Sequence, residues 1–261
     1  MITLFRRIRQ KFIASGFVSK YLLYATGEVA LVMIGILLAL QVNNWNEERL
    51  ERQKEQEILQ DLKVEFEANL FDLQRVLNAH RKIYAELKEI QQITLSGDFE
   101  NPALDSLTFA LVKWFTFTDR PGASSNLLNS GNLNLISNKE LRDLITQWSG
   151  IVADVVDDEI FSLDYVRETV MPFLVKNYSI SNLKLENDRM IRSFDEYNPD
   201  LFEPVKPRET VDWSRLLTDS NFQGYLAFRK IFQAHSIMEG EIGEKAGLEI
   251  LRLIDEELGI L

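Results

Sequence analysis

Glu28 is the only ionisable side chain in a stretch otherwise free of charge. Residues 29–40 follow it without one polar side chain. A carboxyl group inside an apolar helix is costly and is by default a functional position. It can pair with a neighbouring subunit, line a proton path or fix orientation in an oligomer. The plainer reading puts it close enough to lipid headgroups to be wetted, with Lys20 or Tyr24 beside it. Gly27, Leu31, Gly35 and Ala39 recur at steps of four next to Glu28, with Thr26 and Ala30 alongside. Small residues at that spacing let two apolar helices approach closely, so this face is the expected helix-packing surface.

The other residues suited to chemistry are scattered. The chain has 2 histidines, His80 and His235. If the last helix runs antiparallel to the first, residue 235 lies level with about 78, and a nearby carboxylate would complete a metal site. Ordinary core or boundary positions are the commoner fate of helical histidines, so no metal residue is expected. Asp157, Asp158 and Glu159 read as a solvated helix face rather than a calcium site, because helical spacing rarely supplies six oxygen ligands. Asp119, Arg120 and the run Asn126, Asn129, Asn132, Asn134 and Asn138 are expected at the end of the domain away from the membrane. Caps and turns explain them first; a surface for a polar ligand or partner is the sharper alternative. No serine sits in a nucleophile-elbow sequence and no phosphate loop is present. With 0 cysteines there is neither a disulfide nor a thiolate site. No catalytic or cofactor-binding residue is assigned, no cofactor is expected, and the chain is not expected to be an enzyme.

The elements that carry these residues follow from hydropathy. About 20 apolar residues cross a bilayer core, and residues 20–43 supply that length. Tyr21 and Tyr24 at one boundary and Trp45 at the other match interfacial aromatic belts. The formal net charge of −11 is unevenly spread. Residues 1–20 hold Arg6, Arg7, Arg9, Lys11 and Lys20 and no acid, whereas every acidic side chain except Glu28 lies after residue 42. Basic flanks stay cytoplasmic. The N-terminus is therefore expected inside and the acidic domain outside, in the periplasm of a two-membrane bacterium. An acidic domain argues against nucleic acid. The long apolar region, Glu28 within it and Leu37 at the −3 position of a cut after Ala39 favour an uncleaved anchor over a signal peptide.

Residues 2–13 set Leu4, Phe5, Ile8 and Phe12 near one face, as in an interfacial helix. No Gly or Pro occurs between residues 36 and 96, which predicts one helix leaving the membrane. Residues 46–57 have Leu50 as their only apolar side chain and read as a solvated stalk. From Ile58 a core stripe begins: Leu59, Leu62, Phe66, Leu70, Leu73, Leu77, His80, Ile83, Leu87 and Ile90. A helical piece over 101–115 is expected after Gly97, with Asn101 and Pro102 at its start, then a short helix over 124–130 stopped by Gly131. Ser137 and Glu140 suggest a capping box for a helix ended or kinked by Pro172. Residues 177–219 are irregular apart from a short helix over 213–217. The last helix spans 221–258, with a stripe through Phe222, Tyr225, Leu226, Phe232, His235, Met238, Ile242, Leu248, Leu251 and Ile254. Gly240, Gly243 and Gly247 argue against its continuity. Long rods of ~52–58 Å and a shorter fourth element make a four-helix-type bundle.

The segments FRRIRQKF and SKYLLYATGEVALVMIGILLALQVNNWNE resemble an uncharacterised single-pass membrane-protein family of Bacteroidota, a domain of unknown function. The resemblance is close over residues 4–50 and weaker over NSGNLNLISNKELRDLI and the last helix. It implies a short cytoplasmic N-terminus, one span and a helical periplasmic domain, and transfers no active residue. The fold expected is all-α: 1–19 a cytoplasmic basic amphipathic segment, 20–43 a transmembrane helix, 44–57 a helical stalk and 58–261 an extracytoplasmic helical bundle. The function expected is a non-enzymatic binding, scaffolding or sensing module in the inner membrane. Its partners are the lipid bilayer and either further copies of itself, as a homo-oligomer, or another membrane protein. The alternative is a small ion- or proton-conducting assembly, or an accessory to one, that uses Glu28.

Overall fold

The computed structural model describes residues 17–191 and 209–260, and the expected interfacial helix over 2–13 and the prolines at 199, 204 and 207 lie outside them. The described residues are all-α, with no strand among them. The chain divides into two compact units, Met1–Glu57 and Ile58–Leu261.

Helix α1, Phe17–Ser96, is unbroken over 80 residues, as the absence of Gly and Pro predicts. In the first unit its apolar stretch is long enough to cross a membrane, with mean hydropathy 2.0. The polar residues after it support their own helix through side-chain bonds. Asn43 Nδ2 donates to Glu47 at 2.8 Å and Arg49 to Asn46 at 3.4 Å, the i,i+4 and i,i+3 pairings that face each other on a helix. Gly97 ends α1 with φ +73° while its N–H bonds Ile93 at 3.0 Å. That left-handed cap is one glycine adopts without steric cost.

In the second unit every residue of the α1 stripe is buried, from Leu59 to Ile90 and including His80. The chain then returns through α2 (Leu104–Thr108), a 3-10 turn (Phe109–Leu111), an irregular strip, and α3 (Ala123–Asn129). The helical piece expected to reach 115 thus stops at Leu111. Beyond α3, Gly131 takes φ +70°. Helix α4 is Lys139–Tyr165, and its N-cap is Asn138, whose side chain accepts from the Leu141 N–H at 3.1 Å. The expected capping box at Ser137 and Glu140 is one residue out of register.

Pro172 does not end the helix. A π turn, Val166–Val170, precedes it, and the Met171 N–H reaches back to the Val166 carbonyl. Widening this turn lets the chain pass a residue with no N–H to give. Pro172 then sits in the first turn of α5, Met171–Asn177. Helices α6 (Ile180–Ile191) and α7 (Trp213–Thr218) follow, then α8, Ser220–Leu258. Helix α8 stays helical through Gly240, Gly243 and Gly247.

These glycines are contact points rather than breaks. A Cβ at Gly240 would meet Leu77 Cδ1 at 3.0 Å, and one at Gly243 would meet Leu73 Cδ2 at 3.1 Å. Helix α8 therefore runs antiparallel to α1, its backbone close against the leucines. Lys63 Nζ donates to Asp255 at 2.7 Å and Gln74 to Glu244 at 2.8 Å along the same register. The buried face of α8 is Phe222, Leu226, Arg229, Gln233, Ser236, Gly240, Gly243, Gly247, Ile250, Leu253 and Ile254. The expected stripe holds only at its ends. Met238, Ile242 and Leu248 are 52%, 49% and 49% exposed, because the close approach to α1 leaves no room for large side chains there.

Two apolar clusters form the core. One gathers Leu59, Leu62, Phe66, Leu73 and Val76 with Leu127, Ile136, Trp148, Val155 and Ile254. The other gathers Ile83, Leu87 and Ile90 with Leu104, Leu111, Val170, Leu174, Leu217 and Phe222.

Candidate functional site: a buried polar layer and an apolar cavity

Between the two clusters lies a layer of buried polar side chains. His80 of α1 faces two partners: Nε2 lies 3.0 Å from Glu159 Oε1 and Nδ1 lies 2.9 Å from Gln233 Oε1. The second Glu159 oxygen accepts the Phe117 N–H at 2.7 Å. One carboxylate of α4 thus binds α1 and the returning strip together, and Gln233 joins α8 to them. Arg229, 0% exposed, donates to the Ser162 hydroxyl and, at 2.8 Å, to the Lys113 carbonyl. Both partners are neutral, and burial lowers the pKa of Arg229 to about 10, since removing a guanidinium from water disfavours its charged form.

A second group fastens the returning strip to the Ile58 end. Glu65 accepts the backbone N–H groups of Gly122 at 2.9 Å and Ser124 at 3.2 Å, and also the Ser124 hydroxyl. Asn69 donates to Asp119 at 2.6 Å and accepts the Arg120 N–H at 3.0 Å. Trp148 Nε1 also donates to Asp119, at 3.3 Å. Burial is the main cause that raises the Asp119 pKa above the usual carboxylate range, and Glu65 nearby adds to it.

Several expectations from sequence are corrected here. His80 and His235 do not meet: His235 is exposed, and Gln233, two residues earlier, takes the place opposite His80. The axial level was legible, but the helix face was not. No group of three metal-ligating side chains occurs among the described residues. The acidic run is not one solvated face, since Asp157 is exposed whereas Glu159 is buried. Asp119, Arg120 and Asn126 lie beside the early α1 residues Ile58, Asp61, Glu65 and Asn69, not at the opposite end of the unit. The strip doubles back along α1 before α4 begins.

Arg229 and Gln233 escaped the sequence reading, although a signal was present. Phe222, Leu226, Arg229, Gln233, Ser236, Gly240, Gly243 and Gly247 form an unbroken series of four- and three-residue steps. Its polar and small members do not score as hydrophobic.

The second unit also has an apolar cavity of about 590 Å³ between the strip, the π turn and α6. Its apolar lining includes Phe109, Trp114, Phe115, Met171 and Leu183; its charged lining is Lys113, Arg167 and Lys184. In the first unit, Glu28 is exposed on α1, and a Cβ added at Gly27 or Gly35 would meet nothing within 4 Å. Leu31 is exposed on the same face, and so is Ala39.

Residues 28–156 match the model of a family of unknown function, DUF6090. No curated protein and no solved structure matches the chain. The DUF6090 match takes in Glu28, the small-residue face, Glu65, Asn69, His80 and Asp119, and it ends before Glu159 and α8.

Proposed function

We propose that this chain is a membrane-anchored helical module. It binds a ligand or partner outside the cytoplasmic membrane and assembles through its span, with no chemistry of its own. The observation that carries the reading is helix α1, which leads without a break from the exposed apolar stretch into the folded unit. A helix of that composition is satisfied in lipid, where its backbone groups bond internally. The basic residues at 6, 7, 9, 11 and 20, with no acid among them, favour an inner-membrane protein with a cytoplasmic N-terminus and a periplasmic C-terminal unit. The chemically capable side chains of the second unit support a binding or scaffolding role, since Glu65, His80, Asp119 and Glu159 are engaged with one another and with backbone groups. Packing along Gly27, Leu31, Gly35 and Ala39, with Glu28 at its edge, would join copies to each other or to another membrane protein.

Reporter fusions test the topology. A phosphatase joined after Leu261 should be active and a reporter that works only in the cytoplasm silent at the same place. The reverse pattern would overturn the extracytoplasmic assignment.

A further inference from the structure

We propose that the cavity between the returning strip, the π turn and α6 holds the hydrocarbon chain of an anionic amphiphile, with the acidic head at Arg167. The amphiphile is a long-chain carboxylate or an acyl chain of an anionic phospholipid. The inference deepens the binding role proposed above and rests on that reading only for the source of the lipid.

The size is right: about 590 Å³ falls inside the range of small-molecule sites, which are mainly apolar with a few placed polar groups. The lining fits that description, with aromatic and aliphatic side chains from the strip and from Val166, Met171 and Leu183. Trp114, in the lining, is 55% exposed.

Charge selects the ligand further. The chain as a whole is strongly acidic, yet the charged side chains lining this cavity are the cations Lys113, Arg167 and Lys184, joined by the neutral Asn187. Lys113 is paired with Glu86 at 2.8 Å and Lys184 with Asp188 at 3.0 Å, which leaves Arg167 as the cation most open to an anionic head. The Arg167–Asp164 contact is long, at 4.0 Å, and exposed; pairs of that kind are weak, so its guanidinium is available to a carboxylate or phosphate head. Arg167 lies in the π turn that precedes Pro172.

The test uses the full chain in zwitterionic lipid nanodiscs. Two photoactivatable probes are added separately: a diazirine-bearing C16 carboxylate, and a phosphatidylglycerol carrying the same group on its acyl chain. Crosslinked peptides are then mapped. Labelling is expected in residues 109–115 and 166–187 with at least one probe, and the probe that labels identifies the source. Met171→Trp, which fills the cavity from a half-buried position, should abolish that labelling. Arg167→Ala should reduce it about fivefold, the loss of one exposed charged contact. Labelling of residues 29–40 serves as the internal control and should not change. Crosslinks confined to residues 29–40 with both probes would overturn the proposal, as would cavity labelling indifferent to both variants. A reversed reporter pattern would remove the periplasmic assignment while leaving the cavity labelling intact, so the two failures are distinguishable.

Discussion

The carboxylate of Glu159 joins elements far apart in sequence, one oxygen toward His80 and the other to the Phe117 N–H. Removing it leaves a buried donor without a partner, which costs about 1–3 kcal/mol, more where a charged group is involved. Glu159→Ala should therefore lower stability by about 3 kcal/mol in urea melts of the full chain in detergent. Glu159→Gln keeps an acceptor and should lose less than half of that. A wild-type melt for Glu159→Ala would show that the layer carries no net stability. Asp119 gives a pH signature. Its folded-state pKa is raised by burial, so the folded state holds that proton more tightly than the unfolded one. Its contribution is then fully present below the ordinary carboxylate pKa and lost as pH rises through the raised one. Asp119→Asn removes this dependence while leaving an acceptor for Asn69 and Trp148. The stability of Asp119→Asn relative to wild type should improve as pH rises above the ordinary carboxylate pKa; a constant difference would contradict the assignment.

Among the helices, glycine has opposite meanings at two positions. At Gly150 in α4 an added Cβ meets nothing within 4 Å, whereas at Gly240 in α8 it meets Leu77 Cδ1 at 3.0 Å. Gly150→Ala should stabilise by about 0.5–1 kcal/mol through helix propensity. Gly240→Leu should destabilise by ~2 kcal/mol or more through overpacking. Equal shifts for the two would show that α8 can move away from α1 freely. The same contrast explains what the sequence revealed. Helix α1 was legible because its stripe is apolar at every step except His80 and no second apolar series competes with it. Helix α8 carries two series, an apolar one through Met238 and Ile242 and a small and polar one through Ser236, Gly240 and Gly243. Periodicity favours the first, but backbone approach selects the second. The slip at Val166–Val170 was hidden because Pro172 announces a disturbance without saying how the chain accommodates it. The bond from Asn69 to Asp119 was illegible for another reason: it depends on the strip folding back, which no local pattern encodes.

At the scale of the molecule, the open face through Gly27 and Gly35 sets an expectation for assembly. Lipid does not drive apolar helices together, so close backbone packing must. Gly35→Leu should leave membrane insertion intact and weaken the oligomer in crosslinking or mild-detergent sedimentation. An oligomer indifferent to the change would take this face out of the account and leave Glu28 to be explained separately. The division of the second unit's core by the His80–Glu159–Gln233 layer has a further consequence, visible in amide exchange. The cluster at the Ile58 end draws mostly on the long helices α1, α4 and α8, whereas the other also depends on short pieces such as Leu104–Thr108 and Trp213–Thr218. Short elements have few internal bonds to hold them once their packing loosens. Deuterium should therefore enter the unit in two steps: early into amides of α2 and α7 together, and late into α1 from Leu59 to Val76. The polar layer would mark the line at which native opening stops.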